Sequence, residues 1–229
     1  MRLFLALILY GLIFSSCRQQ LPVNQKIPSQ ADTTKVDAQK TQRRMLFSID
    51  EGKHVHGDPN ARVPVVVFID YLSAHSARSF RVLKELLADQ QLKLIIRISF
   101  RHYPRGQESI KAAKAALASG LQGKHFFWRM SQKLFDADGE IDDSIYIKAA
   151  QEIGLDSQRF SQDMLENESK FMHLLRSDAT TMRKVRNVAK VGEIFVGGHI
   201  YRGPMKRASL KRFIMAVKNY NERAISPSS

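Results

Sequence analysis

Hydroxyl and imidazole side chains occur together in the segment Ser73-Ala74-His75-Ser76, called the serine turn below. A serine oxygen at the start of a helix accepts hydrogen bonds from unpaired backbone N–H groups. A histidine beside a serine also raises the idea of nucleophilic catalysis. Residues two apart at a helix start do not face each other well, and no third group that would orient His75 is visible. Capping, worth about 1 kcal/mol relative to alanine, is the simplest role for Ser73.

His54 and His56 form a second pair of side chains, with the spacing of two metal ligands. An H-x-H pair in a loop without further carboxylates is more often solvent-facing than metal-binding. We therefore predict no metal site and no cofactor.

The serine turn is expected between a buried strand and a helix. Residues 63–69, VPVVVFI, form a continuous apolar and β-branched run, which is typical of a strand covered on both faces. Apolar residues at helical spacing follow Ser73, and residues 92–100, LKLIIRISF, are predicted to form the next strand. This order predicts a βαβ unit with a parallel strand pair.

Further elements are predicted on both sides of this unit. Residues 45–50, MLFSID, are a short strand candidate, and a loop, EGKHVHGDPNAR, follows. Helical periodicity from about residue 108 to residue 187 predicts an inserted helical block.

The last third of the chain returns to strand. Residues 193–201 carry two short strand candidates, and the pair Gly197-Gly198 suits a tight hairpin turn between them. Residues 208–220 are predicted to form a closing helix. We expect residues 223–229 to be a disordered tail.

The N-terminus reads as an export signal. Met1-Arg2 precedes about a dozen apolar residues, fewer than the roughly 20 that a membrane-spanning helix needs, which predicts a signal peptide over residues 1–16. Ser15-Ser16 before Cys17 resembles the bacterial lipobox, so Cys17 is expected to be lipidated; an ordinary signal peptide with an incidental cysteine is the alternative. Arg18 slightly favours the outer membrane.

Residues 17–46 are rich in Gln, Ser, Thr, Lys and Pro, and they are predicted to be a flexible tether. The span from Cys17 to Met45 would reach roughly 30 Å as a flexible coil. A domain on this tether, predicted over residues 47–222, would work close to the periplasmic face of a bacterial membrane.

Cys17 is the single cysteine of the sequence. Thiol–disulfide exchange needs one thiolate to attack and a second thiol to resolve the mixed disulfide. The sequence therefore argues against that activity.

The formal net charge of +14 would favour nucleic-acid binding in a cytosolic protein. Export removes most of that expectation, so nucleic acid is not an expected partner. Anionic lipids, cell-wall polymers and acidic proteins are the remaining anionic partners, and a basic surface that is merely solvated is the alternative. A candidate anionic contact consists of Arg183, Lys184, Arg186, Lys206, Arg207, Lys211 and Arg212.

Several stretches in order resemble the DsbA family of thioredoxin-fold proteins, over about Gly57 to Lys218. They are HGDPNARVPVVVFIDY, FRHYP, LQGKHFFWRMSQKLF, EIGLD and KVGEIFVGG. The resemblance implies an α/β protein with a thioredoxin-like fold: a mixed sheet with a βαβ start and a ββα end, and an inserted all-helical subdomain.

The departures from this family lie where its chemistry would be. Ser73 and Ser76 occupy the two cysteine positions, Ala74-His75 replaces the usual Pro-Tyr, and Gly192 stands at the position of the cis-proline. A cis peptide without proline costs about 3 kcal/mol, so we expect a trans bond at Gly192. The resemblance implies a binding groove at the serine turn together with Val191, Gly192 and Glu193.

Two functions follow from this resemblance. The first is a non-catalytic, membrane-tethered envelope protein with a binding or chaperone-like role, which holds a protein or peptide partner either at the serine turn or on the basic surface. The second is an enzyme similar to the kappa-class glutathione transferases and chromene carboxylate isomerases, in which Ser73 would donate a hydrogen bond to the thiolate of bound glutathione.

Overall fold

The computed structural model describes residues 55–58, 60–139, 141–185 and 189–225, with side chains as far as residue 222. The predicted signal peptide, Cys17, the tether and the strand candidate at 45–50 lie outside the described residues. So do His54, Arg186 and residues 226–229.

A five-stranded mixed sheet forms the centre of the domain, in the spatial order β1-β3-β2-β4-β5. Strands β2 and β3 are parallel, and the other three neighbouring pairs are antiparallel. The α/β class with a mixed sheet is thus confirmed. The strands are β1 (Val55–Gly57), β2 (Val63–Ile69), β3 (Ile96–His102), β4 (Ile194–Val196) and β5 (His199–Ile200).

Helices cover both faces of the sheet and form the predicted insertion. Between β2 and β3 lie α1 (Ala74–Leu87) and α2 (Gln90–Lys93). The insertion after β3 contains α3 (Gln107–Ser119), α4 (Lys124–Asp136), α5 (Asp143–Ile153), α6 (Ser157–Glu166) and α7 (Glu168–Val185), and α8 (Arg207–Ile225) closes the domain.

Strand β2 is buried along its whole length, because it lies in the middle of the sheet with helices on both faces. Its alternating side chains enter two different clusters. Val65 and Val67 join the main core with α1, α8 and the insertion. Val66 and Phe68 join a smaller cluster with the last turn of α7.

The hairpin predicted near the C-terminus is present. Val196 pairs with His199, which leaves Gly197 and Gly198 as the two turn residues. Both have positive φ, 55° and 82°, as a two-residue turn with φ > 0 at both central positions requires.

Three predicted boundaries were wrong. The strand expected at 92–100 begins at Ile96, because Asp89 caps the short helix α2 by accepting hydrogen bonds from two backbone N–H groups. The expected loop after residue 50 contains β1, an edge strand paired to β3. The closing helix continues to Ile225, so its backbone is helical for three residues of the expected disordered tail.

Within the described ranges, no helix combines the length and the apolar character that crossing a bilayer would require.

Candidate functional site

The serine turn lies at the N-terminus of α1, directly after the buried strand β2. Ser73 is the N-cap, and its Oγ accepts a hydrogen bond from the Ser76 backbone N–H at 3.4 Å. The Oγ of Ser76 is buried and accepts from the Asp70 backbone N–H at 3.2 Å. Both hydroxyl oxygens therefore accept hydrogen bonds that hold the strand-to-helix connection together.

His75 lies on the half-exposed side of the same turn. Its Nδ1 is 3.4 Å from Nη2 of Arg78, and a guanidinium can only donate. In the described part of the chain, no hydrogen bond joins His75 to the hydroxyl of Ser73 or Ser76. The two serine hydroxyls instead take part in the hydrogen bonds of the strand-to-helix connection.

Residues 190–193, called the glycine loop below, pack directly on the serine turn. The Gly192 N–H donates to the Phe68 carbonyl oxygen at 2.6 Å. Gly192 has φ +86°, and a Cβ atom at this position would lie 2.4 Å from Cδ2 of His75. Glycine is thus required both by the backbone conformation and by the close approach to α1.

The peptide bond at Gly192 is trans, as expected from the absence of proline, and no cis peptide occurs among the described residues. The loop therefore differs in backbone geometry from the cis-proline loop that the family resemblance implies at this place.

Ser79 joins the glycine loop to α1, and the sequence analysis missed it. Its Oγ is buried and lies 2.5 Å from the Gly192 carbonyl oxygen and 3.2 Å from the His75 carbonyl oxygen. Ser79 follows Ser76 by three residues, so the two serines share one side of the helix. That spacing marks Ser79 as a neighbour of the serine turn, whereas its contact with Gly192 depends on tertiary packing.

The other two predicted groove residues have structural contacts. The Glu193 carboxylate accepts from the Lys190 backbone N–H at 2.8 Å and from Nη1 of Arg202 at 2.5 Å. Val191 is half-buried against the smaller apolar cluster. Glu193 therefore stabilises the glycine loop itself.

Asp70 is a second residue that the sequence analysis missed. Asp70 is a buried residue, 4% exposed, and its Oδ1 accepts a hydrogen bond from the Leu72 N–H at 3.0 Å. Oδ2 lies 3.5 Å from Nε of Arg105, whose side chain is mostly exposed. This carboxylate fixes the loop from which Leu72, 37% exposed, projects beside the serine turn.

A series of buried hydrogen bonds starts at Tyr71, the residue after Asp70, and extends into the insertion. The Tyr71 hydroxyl is 2.7 Å from Oγ of Ser131 in α4 and 3.4 Å from Nε2 of His102. The His102 backbone N–H donates to Asp178 of α7 at 2.8 Å. Burial raises the pKa of Tyr71, so this hydroxyl stays protonated. These hydrogen bonds tie the ends of β2 and β3, near the serine turn, to α4 and α7 of the insertion.

The basic residues singled out from the sequence do not form one surface. Arg183 and Lys184 lie at the end of α7, which packs on the smaller cluster, whereas α8 packs on the opposite face of the sheet. Arg207 and Lys211 of α8 both contact Asp89, at 3.2 and 2.6 Å. Part of the positive charge is thus used within the fold.

His56 lies in β1 and not in a loop. Its ring centroid is 4.9 Å from that of Trp128, in an edge-on arrangement. Partial burial and the charge of Lys93 lower the pKa of His56. No group of three or more His, Cys, Asp or Glu side chains placed to hold a metal ion occurs among the described residues.

Sequence comparison identifies the family. A family model described as Thioredoxin matches residues 50–216. The Na(+)/H(+) antiporter NhaA 1 of Mycobacterium sp. (strain KMS) is 31% identical over 172 residues, which is 72% of this chain and 27% of that protein. NhaA 1 of Mycolicibacterium gilvum (strain PYR-GCK) is 30% identical over 177 residues, 76% of this chain and 28% of that protein. The chain thus spans about a quarter of the length of the curated relatives it matches.

Solved structures agree on the fold. The thiol-disulfide exchange protein alpha-DsbA2 from Wolbachia pipientis superposes with a TM-score of 0.71 at 22% identity, covering 82% of this chain and 97% of that one. A thioredoxin-like oxidoreductase from Silicibacter pomeroyi DSS-3 gives 0.65 at 23% identity, covering 77% and 98%. The chain belongs to the thioredoxin family, and its fold is the DsbA-like form with a helical insertion.

Proposed function

We propose that this protein is an exported, membrane-tethered binding protein of the thioredoxin family that does not catalyse thiol–disulfide exchange. The observation that carries the proposal is the serine turn: both of its hydroxyl oxygens accept structural hydrogen bonds at the N-terminus of α1. A serine there gains the hydrogen bonds that would stabilise a thiolate, but it has no comparable two-electron redox chemistry.

Thiol–disulfide exchange also requires a second, resolving thiol. Exchange passes through a mixed disulfide, which a resolving thiol must break. The only cysteine of the sequence is Cys17, far from the serine turn along the chain. A binding role, which needs shape and not a thiol, is therefore favoured.

The surface around the serine turn suits a protein or peptide partner. Leu72 and Ala74 are exposed, and His75 and Val191 are half-buried beside them. Gly192 closes the floor between the turn and the sheet without a side chain. An apolar residue presented by a rigid, hydrogen-bonded loop is typical of a binding surface.

Export and tethering rest on the sequence. Residues 1–16 have the composition of a signal peptide, and Cys17 follows two small residues. The curated relatives are named antiporters, and a segment similar to this chain forms part of each, which favours a membrane setting here. Replacing Cys17 with serine should release the protein from the membrane fraction of cells that express it, and retention of the variant would contradict lipid anchoring.

Photo-crosslinking in intact cells tests the binding face. A photoreactive amino acid is placed at Leu72 or at His75, with Leu165 as the control, because that leucine is 77% exposed on α6 of the insertion. We expect one protein to be captured from Leu72 and His75 but not from Leu165.

Purified components then test the captured partner. Leu72→Gln should weaken its binding by about tenfold or more, as expected for an apolar residue at the centre of a contact. Equal capture from all three positions, or an unchanged affinity of Leu72→Gln, would argue against a binding site at the serine turn.

A glutathione-transferase-type enzyme is the second candidate, and one observation favours it. The Ser73 hydroxyl accepts from Ser76 but donates to no acceptor in the described part of the chain, so its proton is available to an external thiolate. A glutathione titration of wild type and Ser73→Ala tests this role. Saturable binding that Ser73→Ala abolishes would support it, and no binding at millimolar glutathione would exclude it.

A further inference from the structure

An apolar recess lies between α1, α4 and the edge strand β1. Its volume is about 300 Å³. The α1 residues that line it begin with Phe80, seven residues after Ser73 and thus about 10 Å further along the helix. None of its lining residues belongs to the serine turn or the glycine loop, so its occupation is a question separate from the proposed function.

The floor of this recess is apolar. Phe80, Leu83 and Leu87 follow one another at helical spacing along α1, and Trp128 of α4 faces them. The volume is at the lower end of the range for small-molecule sites. It suits a single alkyl chain or ring better than a surface segment of a folded partner.

The rim is positively charged. Lys84 and Arg129 line the recess, and both are exposed. Neither side chain has an ion pair or a hydrogen bond within the described residues, whereas Lys133 on the same helix as Arg129 pairs with Glu152. None of the described residues that line the recess is acidic. The rim therefore favours a ligand that carries an anionic group next to the apolar part bound on the floor.

The wall also carries a polar group without a partner. The indole Nε1 of Trp128 is buried and has no hydrogen-bond acceptor among the described residues. A buried donor left unpaired costs free energy, but this atom is closed to solvent, so an occupant of the recess would contact the indole ring and not Nε1.

We propose that this recess binds a small amphipathic carboxylate, with its alkyl chain against Phe80, Leu83 and Trp128 and its carboxylate at the rim formed by Lys84 and Arg129. The two parts of the ligand match the two parts of the site. An alkyl chain removes apolar surface from water, and an exposed carboxylate between two cations keeps its hydration while gaining attraction.

Trp128 is the only tryptophan of the sequence, so its fluorescence reports directly on this recess. The full chain is titrated with decanoate at pH 8, where histidine side chains are mostly neutral and the positive charge comes from lysine and arginine. We expect a saturable change in emission. Octanoate should bind about tenfold more weakly, since it lacks two methylene groups.

Decyltrimethylammonium has an alkyl chain one methylene longer than that of decanoate and the opposite charge, and we expect no saturable change with it. The double variant Lys84→Gln, Arg129→Gln should bind decanoate about threefold to tenfold more weakly than wild type. The matched control Lys170→Gln, Arg176→Gln removes the same charge from exposed positions on α7 and should bind decanoate as the wild type does.

Three results would each overturn the proposal. They are an emission that does not saturate with decanoate, equal binding of decyltrimethylammonium, and an unchanged decanoate affinity in the Lys84→Gln, Arg129→Gln variant. Both substituted side chains are exposed, so loss of folding does not confuse the result, and circular dichroism of the variants verifies this.

Discussion

At the scale of single residues, the backbone at Gly192 differs from that of the redox centre that the family resemblance implies. Three independent features exclude proline there: φ is positive, the N–H donates to Phe68, and the space for a Cβ is occupied by His75. Restoring cysteines alone at the serine turn would thus not restore the environment of a cis-proline loop.

Gly192→Pro should therefore destabilise the protein strongly, by more than about 3 kcal/mol in the free energy of unfolding. The measurement is urea denaturation followed by circular dichroism. Gly106→Ala is the control, because Gly106 has an extended backbone and nothing lies within 4 Å of an added Cβ. A Gly192→Pro variant as stable as Gly106→Ala would show that the loop adapts freely.

At the scale of elements, two buried tyrosine hydroxyls contact the helical insertion in different ways. Tyr71, after β2, reaches Ser131 of α4 and His102 of β3. Tyr146 of α5 is also buried, but its hydroxyl has no hydrogen-bond partner among the described residues. The same chemical group thus joins elements in one place and is only desolvated in the other.

Tyr71→Phe should lower the free energy of unfolding by about 1–2 kcal/mol, because it leaves buried polar partners unsatisfied. Tyr146→Phe should be neutral or stabilising by up to about 1 kcal/mol, because it removes an unpaired buried hydroxyl. Parallel urea titrations compare the two variants. Equal destabilisation of both would mean that ring packing, and not hydrogen bonding, sets the effect at Tyr71.

Asp89 forms a second joint between elements, capping α2 and pairing with two cations of α8. The hydrogen bond from Lys211, together with N–H groups of α2, holds the pKa of Asp89 at about 2, below its ordinary 3.8. A depressed pKa in the folded state means that the stabilisation is present above pH 3.8 and is lost as the pH falls towards 2.

Asp89→Asn should therefore be less stable than wild type at pH 6, and the difference should shrink as the pH falls from 5 to 2. Lys211→Gln should have a similar pH dependence, since it removes the main cause of the shift. Thermal unfolding at a series of pH values measures both. A difference from wild type that stays constant over this pH range would argue against the pairing.

At the scale of the whole molecule, the chain has the DsbA-like fold, and serines stand where the family resemblance implies the two cysteines. The core that supports the serine turn does not depend on those groups, since it consists of apolar side chains from the sheet, α1, α8 and the insertion. Under the proposed function, the thioredoxin fold is kept in this chain without thiol–disulfide exchange.

The full chain should neither reduce insulin disulfides nor oxidise a dithiol peptide above the rate without protein. Loss of Cys17 should change neither of these two rates, so Cys17→Ser is the matched variant. Turnover by wild type that Cys17→Ser abolishes would show that the single cysteine acts in exchange, and turnover by both would demand chemistry without a thiol.

The sequence alone was sufficient where signals are local. The unbroken apolar run predicts β2, the Gly197-Gly198 pair predicts the hairpin, and helical periodicity predicts the insertion helices, because backbone conformation there follows from neighbouring residues. The departures at the serine turn were also readable, since the surrounding motifs set its position.

Only the tertiary structure decided the contacts between residues far apart in the chain. The sequence has no signal that Ser79 meets Gly192 or that Tyr71 meets Ser131, because each contact depends on how separate elements pack. The three-residue strand β1 is too short for a periodic pattern, and its pairing to β3 defines it. The apolar recess likewise arises only where α1, α4 and β1 meet.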